Sequence, residues 1–297
     1  MIITGKKFSK PEMSRVINGD RVLNSEDSKP EKFRLDHLLV EQHPEYNRSS
    51  LQSFIKLGFV KVNGVVAKKP NEKYEKDVEI LLTVPEKERA KEYVEPKVIY
   101  EDENVKVLDK PAGLLSMAKG EYCPEPTLED YGLLVHRLDR DTSGVVILAK
   151  NEPTQKLLRK QFQERKTHKT YYAVVEGRPK LDSAKIDLPI ARNLNRPTTF
   201  KVDPNGKPST TFYKLLKTNG EYSLLELKPI TGRTHQLRVH LKYLGNPIVG
   251  DKVYSEDKKN QASRLFLHAK SLEITIPEGN RQIFEAPLPE EFSRFFD

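Results

Sequence analysis

The stretch His136-Arg137-Leu138-Asp139-Arg140-Asp141-Thr142-Ser143-Gly144 sets one carboxylate, Asp139, between two arginines, just before a Thr-Ser-Gly turn. A carboxylate that is held in place can act as a nucleophile and later as a leaving group. Apolar runs flank the stretch: Gly132-Leu133-Leu134-Val135 before it and Val145-Val146-Ile147-Leu148-Ala149 after it. Runs of that kind read as buried strands. The nonapeptide is then a loop between two strands of one sheet, and a loop fixed by a rigid scaffold is where chemistry usually sits. The local pattern fits equally a polar hairpin whose Asp and Arg side chains merely pair at the surface.

Four further segments carry unusual residue sets: Leu108-Asp109-Lys110-Pro111-Ala112-Gly113-Leu114, Lys169-Thr170-Tyr171-Tyr172-Ala173, the run from Pro229 to His240 containing Gly232-Arg233-Thr234-His235-Gln236-Leu237-Arg238, and Gly245-Asn246-Pro247-Ile248-Val249-Gly250-Asp251. With Arg264-Leu265-Phe266-Leu267-His268-Ala269, and in this order, they resemble the RluA-type pseudouridine synthases. The resemblance runs from about Val98 to Pro287, and the His-Arg-Leu-Asp form of the Asp139 motif points to this branch. The related small-subunit rRNA branch usually begins that motif with glycine.

The resemblance implies isomerisation of uridine to pseudouridine in structured RNA. The bond from ribose to the base nitrogen breaks and the sugar rejoins at ring carbon 5, without redox change, hydrolysis or a cofactor. Asp139 matches the family's nucleophile; attack on the anomeric carbon and addition to the ring are both open to it. Arg233 matches the arginine that pairs with this aspartate and keeps a partly buried carboxylate ionised. Tyr171 matches the active-site tyrosine, placed to stack on uracil or to move a proton, while Tyr172 faces the other side of the strand. A stacked uridine has to be extruded into such a pocket. Arg137 and Arg140, with His136 and Leu237, are the substrate-binding candidates; one arginine fills the gap left by the base and either can hold a phosphate. His136 read by itself fixes the loop by hydrogen bonds. Lys169, Arg238 and Lys242 extend the basic, RNA-binding surface. The chain departs from the family between Gly113 and His136, a segment that is short, lacks the usual Val-His-Pro and is irregular over Glu121–Pro126. That departure bears on the RNA surface beside the site.

The elements that must position these residues follow from periodicity. Strand-like segments dominate from about Val98: Val98–Tyr100, Val105–Leu108, Val145–Ala149, Thr170–Glu176, Thr210–Leu216, Tyr222–Leu227 and Ser271–Ile276. One helix follows Pro153 through Phe162, and another runs from Thr234 to Gly245. Strands joined by short turns predict an α+β fold, a mixed and mostly antiparallel sheet with packed helices. Upstream, Phe33, Leu35, Leu38 and Leu39 have helical spacing closed by Pro44. A second helix begins at Ser49 or Ser50, with Ser49 and Gln52 as a capping box and Gly58 as its stop. Phe59–Val66 reads as a hairpin turned at Asn63-Gly64, and Asp77–Leu82 as a further strand. This small α/β unit resembles the RNA-binding domain named after ribosomal protein S-four, on Arg34-Leu35-Asp36, Arg48-Ser49, Gln52, Ile55-Lys56-Leu57-Gly58, Val62-Asn63-Gly64 and Lys68-Lys69-Pro70. Its candidate RNA contacts are Arg34, Arg48, Lys56, Lys61, Lys68 and Lys69. The expected layout is a flexible tail over 1–30, the RNA-binding domain over 31–85, a charged linker over 86–97 and the catalytic domain over 98–297.

Composition sets the outer limits. The chain has 297 residues, 51 basic and 43 acidic, for a formal net charge of +8, which favours a polyanionic partner. No run approaches the length of a membrane span, the N-terminus lacks a secretory pattern, and the lone Cys123 allows no internal disulfide. These features predict a cytoplasmic protein, with no membrane partner and a monomeric state. The histidines show no zinc spacing and no Gly-rich phosphate loop occurs, so no metal and no ATP or NAD are expected. Structured RNA is the expected partner, large-subunit rRNA first because the N-terminal domain resembles that of rRNA-modifying members, with tRNA as the variant. A different class, a non-catalytic RNA-binding protein that keeps the fold, is the alternative that the basic N-terminal domain suggests.

Overall fold

The computed structural model describes residues 31–84, 93–118, 125–255, 262–279 and 281–296. The expected tail over 1–30, the polar run of the linker at 85–92, and Cys123 with most of the irregular 121–126 span lie outside the described residues. Two compact units are present.

The smaller unit comprises β1 (Lys32–Arg34), α1 (Leu35–Gln42), α2 (Arg48–Leu57), β2 (Val60–Val62), β3 (Val65–Val66), β4 (Lys73–Glu75) and β5 (Ile80–Leu82). Leu35, Leu39, Leu51, Phe54, Ile55 and Val60 are fully buried and form its core. The α2 cap differs from the expected one: Asn47, not Ser49, accepts the Ser50 N–H, at 3.0 Å. Gln52 is drawn instead to Asp36, its Nε2 donating to Oδ2 at 2.7 Å. Gly58 ends α2 in the left-handed region (φ 83°), where glycine carries no Cβ penalty. Asn63 and Gly64 both have positive φ, as a two-residue hairpin turn requires. Only Ile80–Leu82 of the expected Asp77–Leu82 strand is paired.

The larger unit is built on one ten-stranded sheet. Its strands are β6 (Lys97–Glu101), β7 (Val105–Lys110), β8 (Leu133–Leu134), β9 (Ser143–Ala149), β10 (His168–Glu176), β11 (Ser183–Asp187), β14 (Thr210–Thr218), β15 (Tyr222–Pro229), β16 (Leu267–Thr275) and β17 (Arg281–Glu285). A separate ribbon pairs β12 (Ile190–Arg192) with β13 (Phe200–Val202). The main order is β11-β14-β15-β10-β16-β9-β7-β6, with β17 on β16 and β8 on β9. The β16–β9 pair is the one parallel ladder among the described strands, joining His268 to Ser143 and Ala269 to Gly144. The sheet is therefore mixed and mostly antiparallel, as expected.

β9 lies at the centre because it is buried throughout. Alternate side chains serve two cores: Val145, Ile147 and Ala149 join Val105 and Val107, while Val146 and Leu148 join Leu108 and Leu138. Helix α3 (Glu152–Gln163) starts at an Asn151 cap and buries Leu158 against the first of these cores. Helix α4 (Gln236–Tyr243) begins two residues later than expected, because His235 takes a left-handed conformation (φ 56°, ψ 19°) that breaks the helical path.

Candidate active site

Asp139 lies in the loop between β8 and β9, and its carboxylate opens into a cavity of about 140 Å³. The loop is tied down from beneath. Lys110 is fully buried, and its ammonium donates to the carbonyls of Pro111 at 2.9 Å and of Leu114 and Arg140 at 2.8 Å. Ser116 Oγ donates to the Leu138 carbonyl at 2.7 Å and accepts the Leu138 N–H at 3.1 Å. His136 Nε2 accepts the Ile147 N–H at 3.2 Å, and its ring stacks on Phe162 at 4.6 Å. Burial, helped by the Lys169 charge, pushes His136 down to about 3, so the imidazole is neutral, as an acceptor must be. The backbone of Leu138 and Arg140, on either side of Asp139, is thus fixed, which removes the freedom a surface hairpin would keep.

The countercharge is Arg238. Its Nη1 donates to Asp139 Oδ2 at 3.2 Å. Its other edge forms a two-pronged pair with buried Asp251, Nε to Oδ2 at 2.7 Å and Nη2 to Oδ1 at 2.8 Å. Asp251 Oδ1 also accepts the N–H groups of Val253 and Tyr254, at 3.0 and 3.1 Å. Burial opposes the Arg238 charge, but the hydrogen bond and charge of Asp251, with the charge of Asp139, outweigh it and hold the guanidinium above its usual range. Arg238 therefore stays charged against Asp139.

This corrects the expected pairing of Asp139 with Arg233. Arg233 precedes α4, its Nε donating to the Pro208 carbonyl at 3.3 Å, while Arg238 is carried inward on the helix. The turn before α4 is fixed by Gln236, whose Oε1 accepts from Thr231 Oγ1 at 2.7 Å and the Arg233 N–H at 3.0 Å. At 6% exposure Arg238 is also no part of an outward RNA surface.

The cavity gathers Arg137, Asp139, Lys169, Tyr171, Arg233, Leu237 and Arg238 from three separate stretches of chain. Tyr171 lines it and Tyr172 does not. Burial and the Asp139 charge push the Tyr171 hydroxyl up, so it keeps its proton at neutral pH. Burial lowers the Lys169 ammonium. His136 and Arg140 stay outside the cavity lining. His136 serves the loop's backbone as just described, and Arg140 Nε donates to the Gly113 carbonyl at 3.0 Å. Lys242 is exposed on α4.

In the smaller unit, Arg34 and Arg48 converge on Asp36, which is fully buried: Arg34 Nε at 2.9 Å from Oδ1, and Arg48 Nη2 at 2.9 Å from Oδ2. Both arginines thus hold the α1–α2 junction, with part of each side chain still exposed. Lys56, Lys61, Lys68 and Lys69 are exposed.

Sequence reasoning missed Lys110, His235 and Asp251. Lys110 and Asp251 stand inside quoted motifs, where an obligate charge next to Pro111 or Gly250 was the available signal. Nothing in the spacing alone marks His235. Among the described residues no cluster of His, Cys, Asp and Glu could hold a metal ion, and no helix is long and apolar enough to cross a membrane.

The chain is similar to proteins already known. Residues 104–243 match the RNA pseudouridylate synthase family, and residues 33–80 match the S4 domain. An uncharacterized RNA pseudouridine synthase from Aquifex aeolicus is 36% identical over 296 residues, covering 90% of this chain and 93% of the relative. Ribosomal large subunit pseudouridine synthase D from Borreliella burgdorferi is 37% identical over 293 residues, covering 90% of each chain. The solved structure of human RNA Pseudouridylate Synthase Domain Containing 1 superposes with a TM-score of 0.58 at 27% identity, covering 69% of this chain and 86% of that one. A mixed sheet presenting an aspartate, a buried arginine and a tyrosine in one cavity, together with these matches, means that the chain belongs to the RluA-type RNA pseudouridine synthases, isomerases of RNA uridine, and carries an S4 domain before its catalytic unit.

Proposed function

We propose that this protein isomerises uridines of large-subunit rRNA, with Asp139 as the nucleophile. The observation that carries the reading is the Asp139 carboxylate at the cavity wall, 3.2 Å from the Arg238 guanidinium and sharing that cavity with Tyr171. The reaction exchanges the C1′–N1 bond for a C1′–C5 bond. A proton leaves C5 and one is gained at N1, so nothing is oxidised and no water is consumed. Asp139 bonds to the substrate carbon in the first half and is released with its electron pair in the second. Arg238, itself held charged, donates to the carboxylate and orients it. Tyr171, holding its proton, stacks on the base and can donate to it.

The target uridine has to leave its stack to reach such a cavity. Arg137 is exposed at the cavity wall and is the residue we assign to the space the base vacates. The S4 domain supplies sequence-independent phosphate contacts through Lys56, Lys61, Lys68 and Lys69. Relatives named for the large ribosomal subunit support rRNA as substrate. The test is carbodiimide mapping of pseudouridine after incubation with transcribed large-subunit rRNA and with tRNA. New stops on the rRNA support the reading, stops on tRNA alone move the substrate, and no new stop on either favours an RNA binder without activity.

A further inference from the structure

Two groups approach Asp139, and both come to the same oxygen. Arg238 Nη1 is 3.2 Å from Oδ2 and His235 Nε2 is 3.8 Å from Oδ2. Oδ1 has no hydrogen bond to any described residue. His235 is placed there at a cost: it is a non-glycine residue at φ 56°, a region that favours glycine and asparagine. Phe200 and Tyr254 pack edge-on against its ring, at 5.6 and 5.5 Å between centroids.

The hydrogen bonds around Tyr254 decide where the His235 proton sits. Tyr254 is buried at 5% exposure. Its oxygen accepts the Phe200 N–H at 2.9 Å, and its other polar neighbour among the described residues is His235 Nδ1 at 2.8 Å. A buried phenol needs an acceptor for its own hydrogen. Burial also raises the Tyr254 hydroxyl, so the hydrogen stays in place. Nδ1 is then the acceptor, and the imidazole proton lies on Nε2, the nitrogen that faces Asp139.

We propose that Tyr254 latches His235 in its Nε2–H form, and that this N–H acts with Arg238 to hold Asp139 Oδ2, leaving Oδ1 as the attacking oxygen. His235 is thus a positioning residue for the reaction, a donor of fixed direction rather than a proton carrier. The 3.8 Å separation shortens to a hydrogen bond when substrate fills the cavity, as catalytic contacts commonly do. The charged and titratable groups that face the ring are Asp139, Arg238, Asp251, Arg137 and Tyr254. Burial lowers the His235 ring, and against the opposing charges of the two acids and two arginines the net direction stays downward, so the ring is neutral at neutral pH, which the latch requires. This inference rests on Asp139 being the nucleophile.

The test combines ¹⁵N-histidine NMR with single-turnover isomerisation at saturating RNA. The wild-type His235 signal, assigned by its loss in His235→Gln, should show the Nε2-protonated tautomer; an Nδ1-protonated ring overturns the proposal. Tyr254→Phe, which keeps the ring packing, should mix the tautomers and slow isomerisation with RNA affinity unchanged. His235→Ala should slow it by about 10-fold to 100-fold, the effect of losing a donor to a charged group. His235→Gln, whose amide can donate from the Nε2 position, should recover most of the loss. A rate within about twofold of wild type in His235→Ala, or no recovery in His235→Gln, overturns the assignment. Activity in Asp139→Asn would instead remove the reading beneath it, leaving the tautomer result untouched.

Discussion

At the scale of single residues, Arg238 distinguishes this site from a surface ion pair. One planar guanidinium binds Asp251 with two nitrogens and Asp139 with a third. Lysine offers one nitrogen and cannot span both acids. Arg238→Lys should therefore lower the isomerisation rate by about 100-fold, the usual scale for removing a preorganised electrostatic interaction. Arg233→Lys should act mainly on KM, because Arg233 lines the cavity without touching Asp139 in the free enzyme. Equal losses of rate in both variants would contradict this division. Asp139 and Tyr171 are singled out by the family resemblance of their motifs, since the local pattern around Asp139 fits a surface hairpin equally; the structure places both at one cavity. The choice between Arg233 and Arg238 was not legible, since both lie in one motif five residues apart. What separates them is the left-handed turn at His235 and the carboxylate of Asp251, and neither is written in the spacing.

Elements hold these residues in place through a few tight constraints. Gly144, the second residue of β9, has φ 108°, and a Cβ there would overlap the Ala269 carbonyl across the parallel β9–β16 pair. Gly144→Ala should destabilise the catalytic unit by about 3 kcal/mol, the scale of a forced backbone shift in a packed core. Chemical denaturation followed on that unit measures it, and an unchanged midpoint would contradict the packing described. In the S4 domain, burial alone would raise the Asp36 carboxyl, but hydrogen bonds from Arg34, Gln52 and Arg48 hold it well below the usual carboxylate range. Its folded pKa is depressed, so its stabilisation is present above about pH 4 and is lost as the pH falls below that. Hydrogen-exchange protection of α1 and α2, corrected for the intrinsic exchange rate, should fall below about pH 4 in the wild type, and much less steeply with pH in Asp36→Asn. Long apolar runs such as Val145–Ala149 revealed the central strands from sequence. The β12–β13 ribbon did not show, because strands of three residues are too short to display a period, and it is Phe200 on that ribbon that packs against His235. The α2 cap was misplaced because Asn47 and Ser49 are both good caps, and Gln52 is engaged by Asp36.

For the whole molecule, the net charge of +8 favours a polyanionic partner, and the proposed phosphate contacts at the exposed S4-domain lysines would make part of RNA binding sequence-independent. Replacing Lys56, Lys61, Lys68 and Lys69 together by Ala should weaken rRNA binding and flatten its dependence on salt, by about 0.7–0.9 in log–log slope for each phosphate that is no longer neutralised. The rate at saturating RNA should hold, because these side chains take no part in the cavity. An unchanged slope would show that the lysines are a solvated face. Isomerisation depends above all on the Asp139 carboxylate in the proposed reaction, and the most direct measurement is single-turnover pseudouridine formation by Asp139→Asn on whichever transcribed RNA the wild type modifies. The predicted result is no detectable isomerisation with RNA affinity largely retained. Turnover at a rate near wild type would contradict the account.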